Sequence, residues 1–177
     1  MFKKLSLLIA SLLMATQLVA KPASVIEAEA NAALAVFKTK PGAAKFLSQV
    51  KGYIVFPSVM KGGFIVGGEY GEGVLKVDGQ TKGYYSIASG SLGLQAGVQE
   101  ASYLIAFVSQ RALDNFVKSN GWEAGVDGII TLVTWGAGKD ISSISYEKPI
   151  YGFVFDSKGL MGGVSLEGTK FTRINPK

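Results

Sequence analysis

Residues 102–108 read Ser-Tyr-Leu-Ile-Ala-Phe-Val, and this stretch constrains the fold more than any other. Read as a strand, Tyr103, Ile105 and Phe107 point one way while Leu104, Ala106 and Val108 point the other. A strand apolar on both faces must be covered on both sides, as in the middle of a sandwich or a packed small barrel. Residues 129–135 repeat the pattern, from Ile129 to Trp135. A small outer-membrane barrel alternates lipid-facing apolar with lumen-facing polar residues, and these segments do not.

Around that strand the chain is punctuated by glycine from Gly52 onward. Strands are expected at 53–56, 63–70, 73–77, 84–99, 102–108, 123–135, 150–155, 159–167 and 170–174. Asp78-Gly79 marks a hairpin, because glycine accepts the positive φ that a tight turn needs. Short turns are expected at Asp156-Ser157-Lys158 and Gly168-Thr169.

Three helices are expected beside the strands. Ser24 to Lys38 carries Ile26, Ala30, Ala33 and Phe37 on one stripe, joined by Leu34. Ser24 and Glu27 have the spacing of a capping box, with Glu27 and Glu29 toward the positive end of the dipole and Lys38 toward the negative end. Pro41-Gly42 breaks this helix before a shorter one over Ala43–Val50. A third helix, Gln110 to Lys118, sets Leu113, Phe116 and Val117 on one side and stops at Asn120-Gly121. The expected fold class is α+β: a Gly-rich, mostly antiparallel sandwich or small packed barrel with two N-terminal helices and one central helix.

Residues 1–20 read differently. Lys3 and Lys4 precede an apolar run, and the segment closes at Leu18-Val19-Ala20 before Lys21-Pro22. This is the pattern of a cleavable secretory signal peptide, with cleavage expected after Ala20. The apolar run is too short for a membrane anchor, which needs about 20 residues. No cysteine follows for acylation. The mature chain is then a single domain over residues 21–177, expected in a bacterial periplasm, with peripheral contact to a membrane left open. Losing Lys3 and Lys4 lowers the formal charge from +5 to +3, 16 basic against 13 acidic residues. That balance favours anionic surfaces weakly and does not call for nucleic acid.

Composition removes most chemistry. At 48% hydrophobic and 18% charged residues, the 177-residue chain can bury a core and is not intrinsically disordered. It holds neither Cys nor His, which excludes disulfides, thiol nucleophiles, thiolate zinc, the Ser-His-Asp triad and His-based metal sites. The acidic pairs offer little instead. Glu69 and Glu72 fall on opposite faces of a strand unless Gly71 bends it, and Glu123 and Asp127 would lie about 13 Å apart if extended. Both pairs read as solvated or turn carboxylates. Gly136-Ala137-Gly138-Lys139-Asp140 lacks the spacing and the Ser/Thr of a phosphate loop and reads as a turn. No catalytic residue, cofactor or metal site is expected.

The glycines are harder to explain by economy alone. Gly62, Gly63, Gly67, Gly68, Gly71 and Gly73 fall within twelve residues. Glycine weakens a strand unless curvature or close backbone approach requires it. Strand curvature accounts for such a cluster; a ligand lying against the backbone, with Lys61 as a cationic contact beside Phe64, would also do so.

Several motifs, in order, carry a family resemblance. Residues 52–64 (GYIVFPSVMKGGF), 67–75 (GGEYGEGVL), 83–86 (GYYS), 93–97 (GLQAG) and 121–128 (GWEAGVDG) resemble the SYLF domain family. So do 149–155 (PIYGFVF), 158–161 (KGLM) and 166–170 (LEGTK). The resemblance implies binding, not catalysis. Eukaryotic members are associated with phosphoinositide membranes and actin, and bacterial relatives are usually exported and labelled lipid-binding. Eukaryotic members touch membranes through an amphipathic N-terminal helix, but the Ser24–Lys38 helix carries Glu27 and Glu29 and few lysines. It is expected to cover the sheet instead. The expected function is therefore a non-catalytic, exported protein that binds phospholipid or another anionic amphiphile. Lys61, Phe64, Lys51, Lys82 and Lys170 are its candidate contacts. The alternative is a structural or protein-binding module of the envelope without a lipid ligand; the oligomeric state stays open.

Overall fold

The computed structural model describes residues 20–63, 66–92, 98–133, 141–158 and 164–177. Eight strands form one sheet: β1 (Gly52–Gly63), β2 (Val66–Val77), β3 (Gln80–Leu92), β4 (Val98–Phe107), β5 (Trp122–Glu123), β6 (Thr131–Val133), β7 (Ile150–Lys158) and β8 (Lys170–Ile174). Their order is β5-β8-β3-β2-β1-β4-β7-β6. Every pairing is antiparallel except β6 with β7. Helices α1 (Ala23–Lys38), α2 (Ala43–Gln49) and α3 (Gln110–Lys118) complete the mixed, mostly β fold.

The sheet curls into a half-barrel. The Phe56 and Phe171 rings sit 5.8 Å apart although β2 and β3 separate their strands, a span of about 14 Å in a flat sheet. A single curled sheet thus takes the place of two stacked ones. Two devices bend it. Pro57 interrupts the pairing of β1 on both sides between Phe56 and Val59, where a bulge lets a central strand hold a residue without N–H. Opposite it, Gly73 lies under the Phe56 ring and the Val55 carbonyl, so any Cβ there would collide. The glycines of β2 nearest the bulge are thus required by close approach.

Each face of the sheet has its own core. On the inner face, Ile54, Leu75, Ile87, Tyr103, Ile105, Phe107 and Phe171 enclose Leu113 and Phe116 of α3. On the outer face, Val55, Val74, Leu104, Ala106 and Phe153 pack under Ile26, Ala30, Ala33 and Phe37 of α1 and Phe46 of α2. Strand β4 is therefore buried on both sides, as its sequence demands, and α1 spends its apolar stripe on the sheet.

Local chemistry sets the element boundaries, and some differ from expectation. The capping box at Ser24 does not form: Pro22 is the N-cap, no side chain caps the helix, and its first turn holds no acidic residue. Glu27 is drawn instead to Lys76, Thr81 and Tyr84 on the sheet. Helix α3 does use a side-chain cap, the Ser109 hydroxyl accepting from the Ala112 N–H at 3.3 Å. The two strands expected at 63–70 and 73–77 are one, β2, without a bend at Gly71. The long strand expected at 84–99 is two, β3 and β4. Asp78 and Gly79 take φ of 52° and 75° and turn the β2–β3 hairpin as expected.

The strand expected at 123–135 is mostly absent. The Asp127 carboxylate accepts the Glu123 N–H at 2.7 Å and Gly125 takes φ 89°, so residues 124–128 turn back, and among the described residues Thr131–Val133 pair with β7. Ile129 is left 72% exposed. Strand β7 runs through the turn expected at Asp156-Ser157-Lys158, with Asp156 at φ 49° beside a register shift. Of the strand expected at 159–167, only 164–167 are described; they are irregular, and Leu166 drops into the inner core. The turn at Gly168 forms, with φ 78°.

Candidate functional site

At one end of the outer face a groove of about 370 Å³ opens between α1, α2 and the β2–β3 hairpin. Its walls carry Lys38, Lys51 and Lys76 together with Leu47, Val50 and Tyr53; Asp78 is the acidic group at its edge. The backbone explains the convergence. Helix α1 ends at Lys38, α2 folds back and ends at Gln49, and Val50 is extended, so Lys51 enters the sheet beside Lys38. Lys76 arrives from the neighbouring strand, since Tyr53 pairs directly with it.

The three lysines are not equivalent. The Lys76 ammonium is held by Glu27 at 2.8 Å and by the Thr81 hydroxyl at 2.8 Å, its side chain only 12% exposed. Burial alone would raise the Glu27 pKa; hydrogen bonds from Lys76, Thr81 and Tyr84 and the Lys76 charge bring it below its ordinary value. Lys38 and Lys51 are exposed. Tyr53 on the groove wall has its hydroxyl pKa pushed up by burial. The groove thus presents one fixed and two exposed cations above an aliphatic wall, an arrangement suited to an anion attached to an apolar body.

The candidate contacts named from sequence do not gather there as a group. Lys51 lines the groove. Lys61 lies at the opposite end of β1, paired across strands with Glu69 and Gln99. Lys82 is exposed on β3, its ammonium 3.4 Å from Gln80 Oε1 and its carbonyl accepting from Arg173. Lys170 is exposed on β8, opposite Ala88 and Glu123. Phe64 and the loop over residues 136–140 lie outside the described residues.

Two residues dismissed as solvated prove to be buried. Glu69 and Glu72 are 8% and 9% exposed, on opposite faces of β2 as their spacing requires. Glu69 faces inward, where Oε2 accepts the Tyr103 hydroxyl at 3.1 Å and buried Oε1 has no hydrogen-bond partner among the described residues. Burial raises its pKa, against the Tyr103 hydrogen bond and the charge of Lys61. Glu72 faces the helix side, where it accepts the Tyr70 hydroxyl at 3.1 Å and the Lys21 backbone N–H at 3.2 Å. Burial and the Glu72 charge push the Tyr70 hydroxyl up to about 12. Asp127 is a turn carboxylate, accepting the backbone N–H of Glu123. Lys38 and Lys76 were missed because their partners in the groove are distant in sequence.

A curled half-barrel sheet with two helices layered outside, one enclosed within and a cationic groove at one end defines a mixed, mostly β domain. The family model described as Ysc84, Las17-binding protein actin regulator, matches residues 88–175, and the chain belongs to this SYLF family. The motifs from Gly93 onward fall inside the match; residues 52–75 precede it and supply β1 and most of β2, central strands of the same sheet. No curated protein matches the chain significantly.

Proposed function

We propose that this chain is a non-catalytic, exported protein of the bacterial envelope that binds phospholipid or another anionic amphiphile, with the Lys38–Lys51–Lys76 groove as its headgroup site. The groove carries the reading: it is the place where cations converge beside apolar wall residues. Lys38 and Lys51 act as point charges on the anion, Lys76 holds the floor, and Leu47, Val50 and Tyr53 face the apolar part. The leader-like residues 1–20 support export to a periplasm. Among the described residues no helix is long and apolar enough to cross a membrane.

The test is co-sedimentation of the 21–177 chain with neutral and anionic vesicles at low and high salt. Binding should be confined to anionic vesicles and weaken with salt. The K38E/K51E double variant should lose tenfold or more in affinity, at about 1 kcal/mol for each lysine near an anionic surface. Unchanged binding by that variant would exclude the groove. Absence of binding to any vesicle, with a stable co-purifying protein, would favour the envelope interaction module.

A further inference from the structure

We propose that Glu72 is a capture site for the α-ammonium group created when the leader is cut after Ala20, so that processing itself completes the fold. The proposal rests on the export reading above. Glu72 is a carboxylate 9% exposed, on β2 beneath the start of α1. Its Oε1 accepts from the Tyr70 hydroxyl and its Oε2 from the backbone nitrogen of Lys21, the residue that follows the expected cut. Lys21's own ammonium is not available to it, because it pairs with Glu29 at 2.6 Å.

In the uncut chain the Lys21 nitrogen is a peptide N–H, a single neutral donor. A buried carboxylate held by two neutral donors is poorly compensated. Cutting the Ala20–Lys21 bond turns that same atom into an ammonium with three donors and a full charge, 3.2 Å from Oε2. The geometry is already set. Pro22 caps α1 with φ −59°, and the Ala23 N–H donates to the Lys177 carbonyl at 3.0 Å, so the new amino group has little freedom to leave. Ala20, on the other side of the bond, is exposed. The precursor therefore folds with a deficit that the mature chain lacks.

The experiment compares thermal unfolding of two forms, one beginning at Lys21 and one retaining Gln17 to Ala20, each with and without Glu72→Gln. The Lys21 form should melt about 2–6 °C above the extended form. Glu72→Gln should erase most of that difference, lowering the Lys21 form more than the extended one. Equal melting temperatures for the two wild-type forms would overturn the capture site, and that comparison stands even if Glu72→Gln fails to fold. Equal losses in both forms on Glu72→Gln would overturn it as well. The intact mass of the exported chain checks the cut separately: a start other than Lys21 overturns the processing step, whereas a Lys21 start with equal melting temperatures overturns the lock alone.

Discussion

The two faces of the sheet are sealed by different physics. Outside, α1 is held by an apolar stripe and by charged hydrogen bonds: Glu27 to Lys76, Thr81 and Tyr84, and the backbone N–H of Lys21, just before the helix, to Glu72. Inside, the seal centres on one ring, with Phe116 meeting Tyr85, Phe107, Trp122 and Phe171 at ring separations of 5.0–5.9 Å; the outer face has aromatic contacts of its own, Phe37 and Phe46 each meeting Phe153 at 5.2 Å, and adds the charged hydrogen bonds to them. Polar atoms fare differently too. Glu27 and Glu72 on the outer face are bonded, whereas Glu69 Oε1 on the inner face is buried with no hydrogen-bond partner among the described residues. Side-chain volume should therefore matter on both faces, while pH should act on them with opposite signs, through the bonded Glu27 outside and the buried Glu69 inside.

The largest effect expected from this contrast is Phe116→Ala. It removes the ring at the centre of the inner cluster and leaves a cavity that four other rings cannot collapse into. A loss of about 3–5 kcal/mol is expected in denaturant unfolding. A loss below about 1 kcal/mol would mean the half-barrel is not closed by α3. Vesicle binding by the folded fraction should be unaffected, since the groove lies on the other face.

Next in size is Glu27→Ala, which breaks the outer network and leaves the Lys76 ammonium with only Thr81. We expect a loss of about 1–3 kcal/mol. The pH dependence has a definite sign. The folded pKa of Glu27 lies below its ordinary 4.5, so its contribution is present above that value and is lost as pH falls through the folded pKa. Unfolding curves of wild type and variant should converge in acid. Parallel curves at all pH values would mean that the helix is held by its apolar stripe alone.

How much of this was legible follows from the range of the interactions. The double burial of β4 and the stripe of α1 are periodicities within a few residues, and both appear as read. The Asp78-Gly79 hairpin is equally local. The capping box failed because Glu27 found a cation 49 positions away, which no local pattern announces. The turn at 124–128 departs from the strand expected at 123–135, because the Asp127 side chain accepts a nearby backbone N–H and starts a turn. The groove is the same case as Glu27: Lys51 could be named from sequence, but Lys38 and Lys76 join it only through the fold. The burial of Glu69 depends on how far the sheet curls, which the bulge at Pro57 and the close approach at Gly73 decide together.

The smallest expected effect, Glu69→Gln, tests the inner face with the opposite sign. The folded pKa of Glu69 is raised above 4.5, chiefly by burial, so the folded chain binds its proton more tightly than the unfolded chain does. Stability from this group is complete in acid and is lost as pH rises through the folded pKa. An amide carries no charge to desolvate. It can still accept from Tyr103 through its oxygen, and its volume is unchanged. Glu69→Gln should therefore be equal to wild type near pH 4 and more stable by about 1 kcal/mol at neutral pH. The two glutamates would then bend the stability profile in opposite directions, Glu27 favouring higher pH and Glu69 lower. If the Gln variant were instead less stable at neutral pH, the ionised carboxylate would be stabilising on the inner face, and Lys61 across the strand would be the cation answering it.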